Sequence, residues 1–314
     1  MRKKVVVIGG GTGESTLLRG LKQFPIDITA IVTVADDGRS TGRLREEFNI
    51  PAVGDIRQVL IALSSVEPTA QEILNYRFKT TSDLNGHTVG NLLLTAATNV
   101  TGSVSRGIES LSKVLNLQGK VLPLTEDNVT LVGHMTDGSI IEGEHFITDS
   151  HKIIDDISYL SDPVINPEAL HEIETCDLIV ISMGSLYTSI MPNLIAKDVV
   201  NSIEKSKAKI VYVANMMTQP GETDNYTVSD HIKALNKHLG NRHVDMVIVN
   251  TGKIQPHLIK KYASEEQKDP VVFDEEAINK MGVQIITDDF VILDSKQIRH
   301  NTMKLAFHIF SNLI

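Results

Sequence analysis

The chain has 314 residues and a mass of 34.5 kDa, the length of one large α/β unit or of two average domains. With 41% hydrophobic and 22% charged residues, 21 glycines and 10 prolines, it buries a core and falls outside the disordered, collagen-like and low-complexity classes. A formal net charge of −9 repels polyanions and argues against nonspecific DNA or RNA binding, while one cysteine, Cys176, excludes an intrachain disulfide framework and a multi-cysteine zinc site.

The opening Met1-Arg2-Lys3-Lys4 precedes only a short apolar run, too brief for a signal peptide, and no later apolar stretch approaches a membrane span. A cytoplasmic location is expected. Val5 to Ile8 reads as a strand running into Gly9-Gly10-Gly11-Thr12-Gly13, after which Leu17, Leu18 and Leu21 recur at helical spacing. A second strand, Ile28 to Val34, ends in Ala35-Asp36-Asp37-Gly38 and completes a βαβ unit whose strand ends face one crevice. Helices are expected from Asp55 to Leu63 and from Val89 to Val100. Short strands around Val121-Leu122, Thr130 to Val132 and Ser139 to Ile141 then suggest a small antiparallel insertion near 119–146.

The alternation resumes with buried-type strands at Leu178 to Ser182, Ile210 to Ala214 and Met246 to Asn250, separated by helical patterns near Pro192 to Ile203 and Val228 to Leu239. Short strands at Val283 to Ile286 and Val291 to Leu293 precede a closing helix from about Arg299 to Leu313. No linker or repeat divides the chain. The expectation is one α/β domain over 1–314, a Rossmann-like doubly wound, mostly parallel sheet with the antiparallel insertion.

Polar loops gather at the expected carboxyl ends of strands, the edge where open α/β sheets bind ligands. The glycine turn, with Gly10, Gly11, Thr12 and Gly13, lets backbone approach a phosphate at a helix start, although it is off the dinucleotide register and lacks a P-loop lysine. A tight packing turn is the structural alternative. In the Asp36 to Arg43 loop, Ser40, Thr41 and Gly42 can form an anion nest, Arg43 can neutralise phosphate, and Asp36 or Asp37 can bind a ribose hydroxyl, a base edge or Mg²⁺. An exposed helix-capping turn would also explain it. Asp55 and Arg57 open one helix and His87 and Asn91 another, where helix capping or a satisfied core histidine compete with ligand contact. Gly184, Ser185, Leu186 and Tyr187 follow one later strand, and Asn215, Thr218, Gln219 and Glu222 follow the next. No GxSxG, HExxH, CxxC or kinase motif set is present.

Taken in order, Gly9-Gly10-Gly11-Thr12-Gly13, Val32 to Gly38, Gly54-Asp55-Ile56-Arg57, Gly86-His87-Thr88-Val89-Gly90-Asn91, Ser185 to Ser189 and Met217 to Thr223 resemble the YvcK-type gluconeogenesis factor family of bacteria over nearly the whole chain. That family is similar in fold to the CofD-type 2-phospho-L-lactate transferases, which join a phospholactyl group to a deazaflavin. The resemblance implies a cytoplasmic regulator that binds a UDP-sugar, notably UDP-N-acetylglucosamine, and supports cell shape on gluconeogenic carbon sources. It also implies a protein partner in cell-wall synthesis and a serine/threonine kinase acting at Thr302, beside Arg299 and Lys304; self-association is left open. Two departures stand out. Gly38-Arg39-Ser40-Thr41-Gly42 replaces the usual Gly-Gly-Ser-Ser-Gly, and Glu14 replaces a usual leucine, where its charge would repel a diphosphate unless it points away.

Two other functions are weighed. A Mg²⁺-dependent transferase of the 2-phospho-L-lactate transferase type would use Asp36, Asp37 and His87 as catalytic candidates and Asp37 with Asp55 as metal candidates. An NAD-binding oxidoreductase would use the glycine turn and the acid about 25 residues beyond it.

Overall fold

Val5-Val6-Val7-Ile8 is apolar at every position and three of the four are valine, which suits a strand covered on both faces. The structure, a computed structural model, describes residues 2–294 and 297–313, the side chains of Arg39 and Asp294 excepted. It places that run at the heart of β1 (Lys3–Gly9), with all four side chains fully or almost fully buried. The remaining strands are β2 (Ile26–Val32), β3 (Lys120–Pro123), β4 (Leu131–Met135), β5 (Ile140–Glu142), β6 (Ile154–Tyr159), β7 (Leu178–Ile181), β8 (Lys209–Val213), β9 (Met246–Asn250), β10 (Gln284–Asp288), β11 (Val291–Asp294) and β12 (Gln297–His300).

Seven of them form one sheet in the order β10-β9-β8-β7-β1-β2-β3, every neighbouring pair parallel. The chain winds outward from β1 through β2 to β3, then returns to the other side of β1 and winds outward from β7 to β10. The topological switch therefore lies between β1 and β7, where the loops leaving the two strands part and open a crevice. The doubly wound, mostly parallel α/β fold is as the sequence pattern indicates.

Helices cover both faces. Gly11–Leu21 buries Leu17, Leu18 and Leu21, and the closing helix Thr302–Ser311 packs on it so closely that a Cβ at Gly20 would stand 2.2 Å from the Thr302 carbonyl oxygen. Three helices that the periodicity leaves unassigned, Pro68–Asn75, Pro167–Thr175 and Pro256–Glu265, each begin with proline, whose fixed φ and missing N–H suit the first turn. Thr227 and Asp230 form a reciprocal capping box at the start of Val228–Asn236. Among the described residues no helix is long and apolar enough to cross a membrane.

Several boundaries differ from expectation: β2 ends at Val32 rather than Val34, and the helix expected near Pro192 to Ile203 is Lys197–Lys205, preceded by short turns from Leu186 to Asn193. Lys120–Pro123 joins the main sheet beside β2, and the antiparallel sheet is instead β5-β4-β6, running on to Tyr159. A strand of four residues carries burial in its sequence but not its pairing partner, so the insertion begins later and ends later than 119–146. At the other end, Gln297–His300 pairs antiparallel with Val291–Asp294, and the closing helix starts at Thr302 rather than at Arg299.

Candidate functional site

The helix Gly11–Leu21 begins at the mouth of the β1/β7 crevice with Gly10 at its N-cap and no side chain capping it. Gly11 has φ +61°, a left-handed conformation that favours glycine, and a Cβ at Gly13 would stand 2.0 Å from the Met183 carbonyl oxygen. The helix start is thus pressed against the loop leaving β7. First-turn N–H groups have no partner inside the helix, and Thr12 and Gly13 line a cavity of about 440 Å³ that opens there. Gly10, Gly11, Gly184, Ser185, Asn215, Thr218 and Gln219 line it too, so nine of the expected ligand residues share one space.

Their side chains are not equally free. Asn215 donates from Nδ2 to the Gly184 carbonyl at 2.8 Å and accepts from the Tyr212 hydroxyl at 3.3 Å, tying the loops after β7 and β8 together. Thr218 accepts the Asp269 N–H at 3.0 Å, while its own N–H donates to the Asp269 carbonyl at 2.8 Å. Glu222, 4% exposed, accepts from the Tyr187 N–H and the Thr188 hydroxyl, both at 3.1 Å, and burial raises its carboxyl above the usual range. Leu186 and Tyr187 are core side chains, the latter's hydroxyl 3.0 Å from that of Tyr226. Gln219 has its backbone fixed by the Thr223 hydroxyl at 2.9 Å, yet its amide Oε1 is buried without a partner.

The loop after β2 forms a second group outside this cavity. The Asp37 carboxylate accepts the N–H groups of Glu144 at 3.0 Å and His145 at 2.8 Å, anchoring the helix Glu144–Asp149 of the insertion. Asp36 accepts the Gly38 N–H at 2.9 Å and the Thr41 hydroxyl, and burial raises its pKa. Gly42 lets the helix Arg39–Phe48 start tightly, since a Cβ there would lie 2.2 Å from the Asp37 carbonyl oxygen; the Arg39 side chain is outside the described residues. Arg43 donates to the carbonyls of Asp83 and Asn85, so its guanidinium holds a loop. Buried His87 shares a 3.0 Å hydrogen bond through Nδ1 with the Ser40 hydroxyl, and burial followed by nearby Arg43 lowers its pKa, favouring neutral imidazole. Arg57 donates to the Asn75 amide oxygen and has Nε buried without a partner, as is Asn91 Oδ1.

Asp55 leans over the turn. Gly11 N–H bonds to it, a Cβ at Gly10 would lie 2.6 Å from Oδ2, and burial followed by repulsion from Asp36 pushes its carboxyl up to about 7. Glu14 is fully buried with both oxygens unpartnered, and burial, then Asp55, raises its pKa well above the usual value. Burial turns the side chain away from the cavity surface, and the raised pKa weakens the charge expected to repel a diphosphate. Asp37 and Asp55 are committed to separate contacts, and among the described residues no group of three or more His, Cys, Asp or Glu side chains could hold a metal ion.

The far wall comes from segments that motif reading passes over. Tyr262 accepts the Ile298 N–H on its hydroxyl at 3.0 Å and so pins the β11–β12 hairpin across the cavity. That hairpin contributes Gln297, Ile298, Arg299 and His300, and Lys268 with Glu266, 2.9 Å apart, completes the rim. His300 bonds through Nε2 to the Ala214 carbonyl at 3.2 Å, and burial lowers its pKa to about 4, keeping it neutral. Arg299 bonds to Gln297 and faces the cavity, while Thr302 opens the next helix. The adjacent Arg299-His300 pair was a signal in sequence, but its distance along the chain from every glycine-rich loop hid its membership.

Residues 5–291 match the family model described as 2-phospho-L-lactate transferase CofD. The chain is 47% identical over 307 residues to the gluconeogenesis factor of Bacillus subtilis strain 168, spanning 97% of this chain and 96% of that one. It is 48% identical over 307 residues to the gluconeogenesis factor of Halalkalibacterium halodurans, spanning 97% and 95%. A crystal structure of a UPF0052 family member from Bacillus halodurans superposes with a TM-score of 0.95 at 47% identity, covering 98% of this chain and 99% of that one.

Proposed function

The chain belongs to the CofD family and, within it, to the gluconeogenesis factors, and from that premise we propose that it is a cytoplasmic regulator that binds a nucleotide diphosphate sugar. The observation that carries this reading is the uncapped helix start at Gly11, opening with glycine-only geometry onto a cavity at the β1/β7 switch. Diphosphate rests over Gly11 to Gly13, where backbone N–H groups and the positive helix end favour anions, and Arg299 adds charge from the rim. UDP-N-acetylglucosamine and UDP-glucose are the ligands proposed. Through the bound state the protein would signal to a partner in cell-wall synthesis and maintain cell shape on gluconeogenic carbon, with phosphorylation at Thr302 modulating it. Calorimetric titration of the purified protein with each UDP-sugar, with and without Mg²⁺, tests the site. Saturable binding with the sugar nucleotide recovered intact is expected; absence of binding to both sinks the reading.

One observation favours transferase chemistry. The Asp55 carboxyl, pushed up to about 7 beside the turn, is suited to exchange a proton near neutrality. Under that reading a cleaved nucleotide appears during incubation with acceptors and is lost in Asp55→Asn, while a UDP-sugar that stays intact with every acceptor tried excludes it.

A further inference from the structure

A second cavity, of about 510 Å³, lies at the opposite edge of the sheet, by the amino ends of β1, β2 and β3, and shares no residue with the one at the glycine turn. Its origin is a step in the strand ends. β2 pairs with β1 from Ile26 onward, but β3 joins only at Thr29, so Ile26, Asp27 and Ile28 have no strand on that side. The segment 117–119 that leads into β3 and Lys22 with Phe24 after the first helix line this notch. The register also fixes which side chains share a face: Lys4 stands beside Asp27, and Thr29 beside Lys120. Alternate residues of a strand project to one side, so these four share the face covered by the helix Pro167–Thr175, whose Glu168 and Glu172 pair with Lys120 at 2.7 Å.

Four cations, Arg2, Lys4, Lys22 and Lys120, line the cavity against two carboxylates, Asp27 and Glu172, in a chain of net charge −9. Lys120 and Glu172 satisfy each other. Arg2 and Lys4 are exposed and, among the described residues, form no ion pair. Lys22 donates to the Ser64 carbonyl at 2.7 Å, and burial, then repulsion from Arg19, lowers its pKa. Three cationic groups from two segments therefore line one cavity whose remaining carboxylate is Asp27.

We propose that this notch binds a small polyanion, a di- or tricarboxylate or a phosphorylated metabolite, with Arg2, Lys4 and Lys22 as its counter-charges. Ammonium and guanidinium groups on long stems close around carboxylate or phosphate oxygens, and Phe24 and Leu117 offer apolar wall to a carbon skeleton. The site is independent of the nucleotide reading.

Calorimetric titration of the full chain with citrate and, separately, with pyrophosphate tests it and tells carboxylate from phosphate. Lys3 supplies the control: it alternates to the other face, pairs with Asp177 at 2.8 Å and does not line the cavity. At least one probe should bind saturably, about tenfold more weakly in Lys4→Gln and unchanged in Lys3→Gln, although both substitutions remove one exposed positive charge. Absence of saturable binding of either probe up to about 10 mM would overturn the proposal. So would binding that ignores Lys4→Gln, which would belong to another part of the molecule, or equal weakening by Lys3→Gln, which would reduce the effect to diffuse surface charge.

Discussion

Glu144 sits partly buried in the field of the Asp36, Asp37, Glu222 and Asp55 carboxyls, and burial first, then those neighbours, pushes its pKa up from 4.5 to about 8. Between those two values the folded protein keeps a proton that the unfolded chain has lost, so stability falls as pH rises through the window and levels off above it. Glu144→Gln should flatten that slope, gaining on the order of 2 kcal/mol at pH 8 relative to wild type with little change near pH 5. Thermal melts of both proteins across that range check it; parallel curves would show that Glu144 does not hold the extra proton. The residue types at the site were legible in sequence, but the commitments of their side chains were not. Arg43, read as a phosphate partner, instead holds the Asp83 and Asn85 carbonyls, and Asp37, read as a ribose or metal ligand, caps a helix more than a hundred residues away. A side chain's partner is set by what folding brings to it, and local spacing holds no record of that.

The glycine turn and its helix act as one element. Because a Cβ at Gly13 would stand 2.0 Å from the Met183 carbonyl oxygen, Gly13→Ala must push the helix start away from the loop after β7. We expect destabilisation of about 1–3 kcal/mol, typical of overpacking, together with loss of UDP-sugar binding beyond what the lower stability explains. Chemical denaturation paired with calorimetry on the folded fraction would show it, and a variant with wild-type stability and affinity would remove the close approach from the account. At this scale the sequence was a good guide to long apolar strands such as β1 and β9 and a poor one to β3 and β12, each of four residues. Four residues can state that they are extended and half-buried; their partners are chosen by sheet closure and loop length. The three helices that open with proline were missed, because their short amphipathic runs carry little periodicity of their own.

For the whole molecule, a ligand that binds only the folded state stabilises it by about 2.7 kcal/mol at a hundred times its Kd, which for a chain of this size raises Tm by several degrees. UDP-N-acetylglucosamine should produce that shift and NAD at the same concentration should not; a larger shift with NAD would redirect the assignment toward dinucleotide binding. By itself the sequence determined the fold class, because apolar strands alternating with amphipathic helices can bury both kinds of face only as a parallel sheet covered on two sides. It also determined which strand ends carry glycines, hydroxyls, amides and carboxylates. The tertiary structure alone decided that the switch falls between β1 and β7, that Glu14 is sealed in the interior with its pKa raised, and that Tyr262 and the β11–β12 hairpin wall the cavity. Those facts depend on segments distant in the chain packing against one another, and burial, proton affinity and cavity shape exist only once that packing has formed.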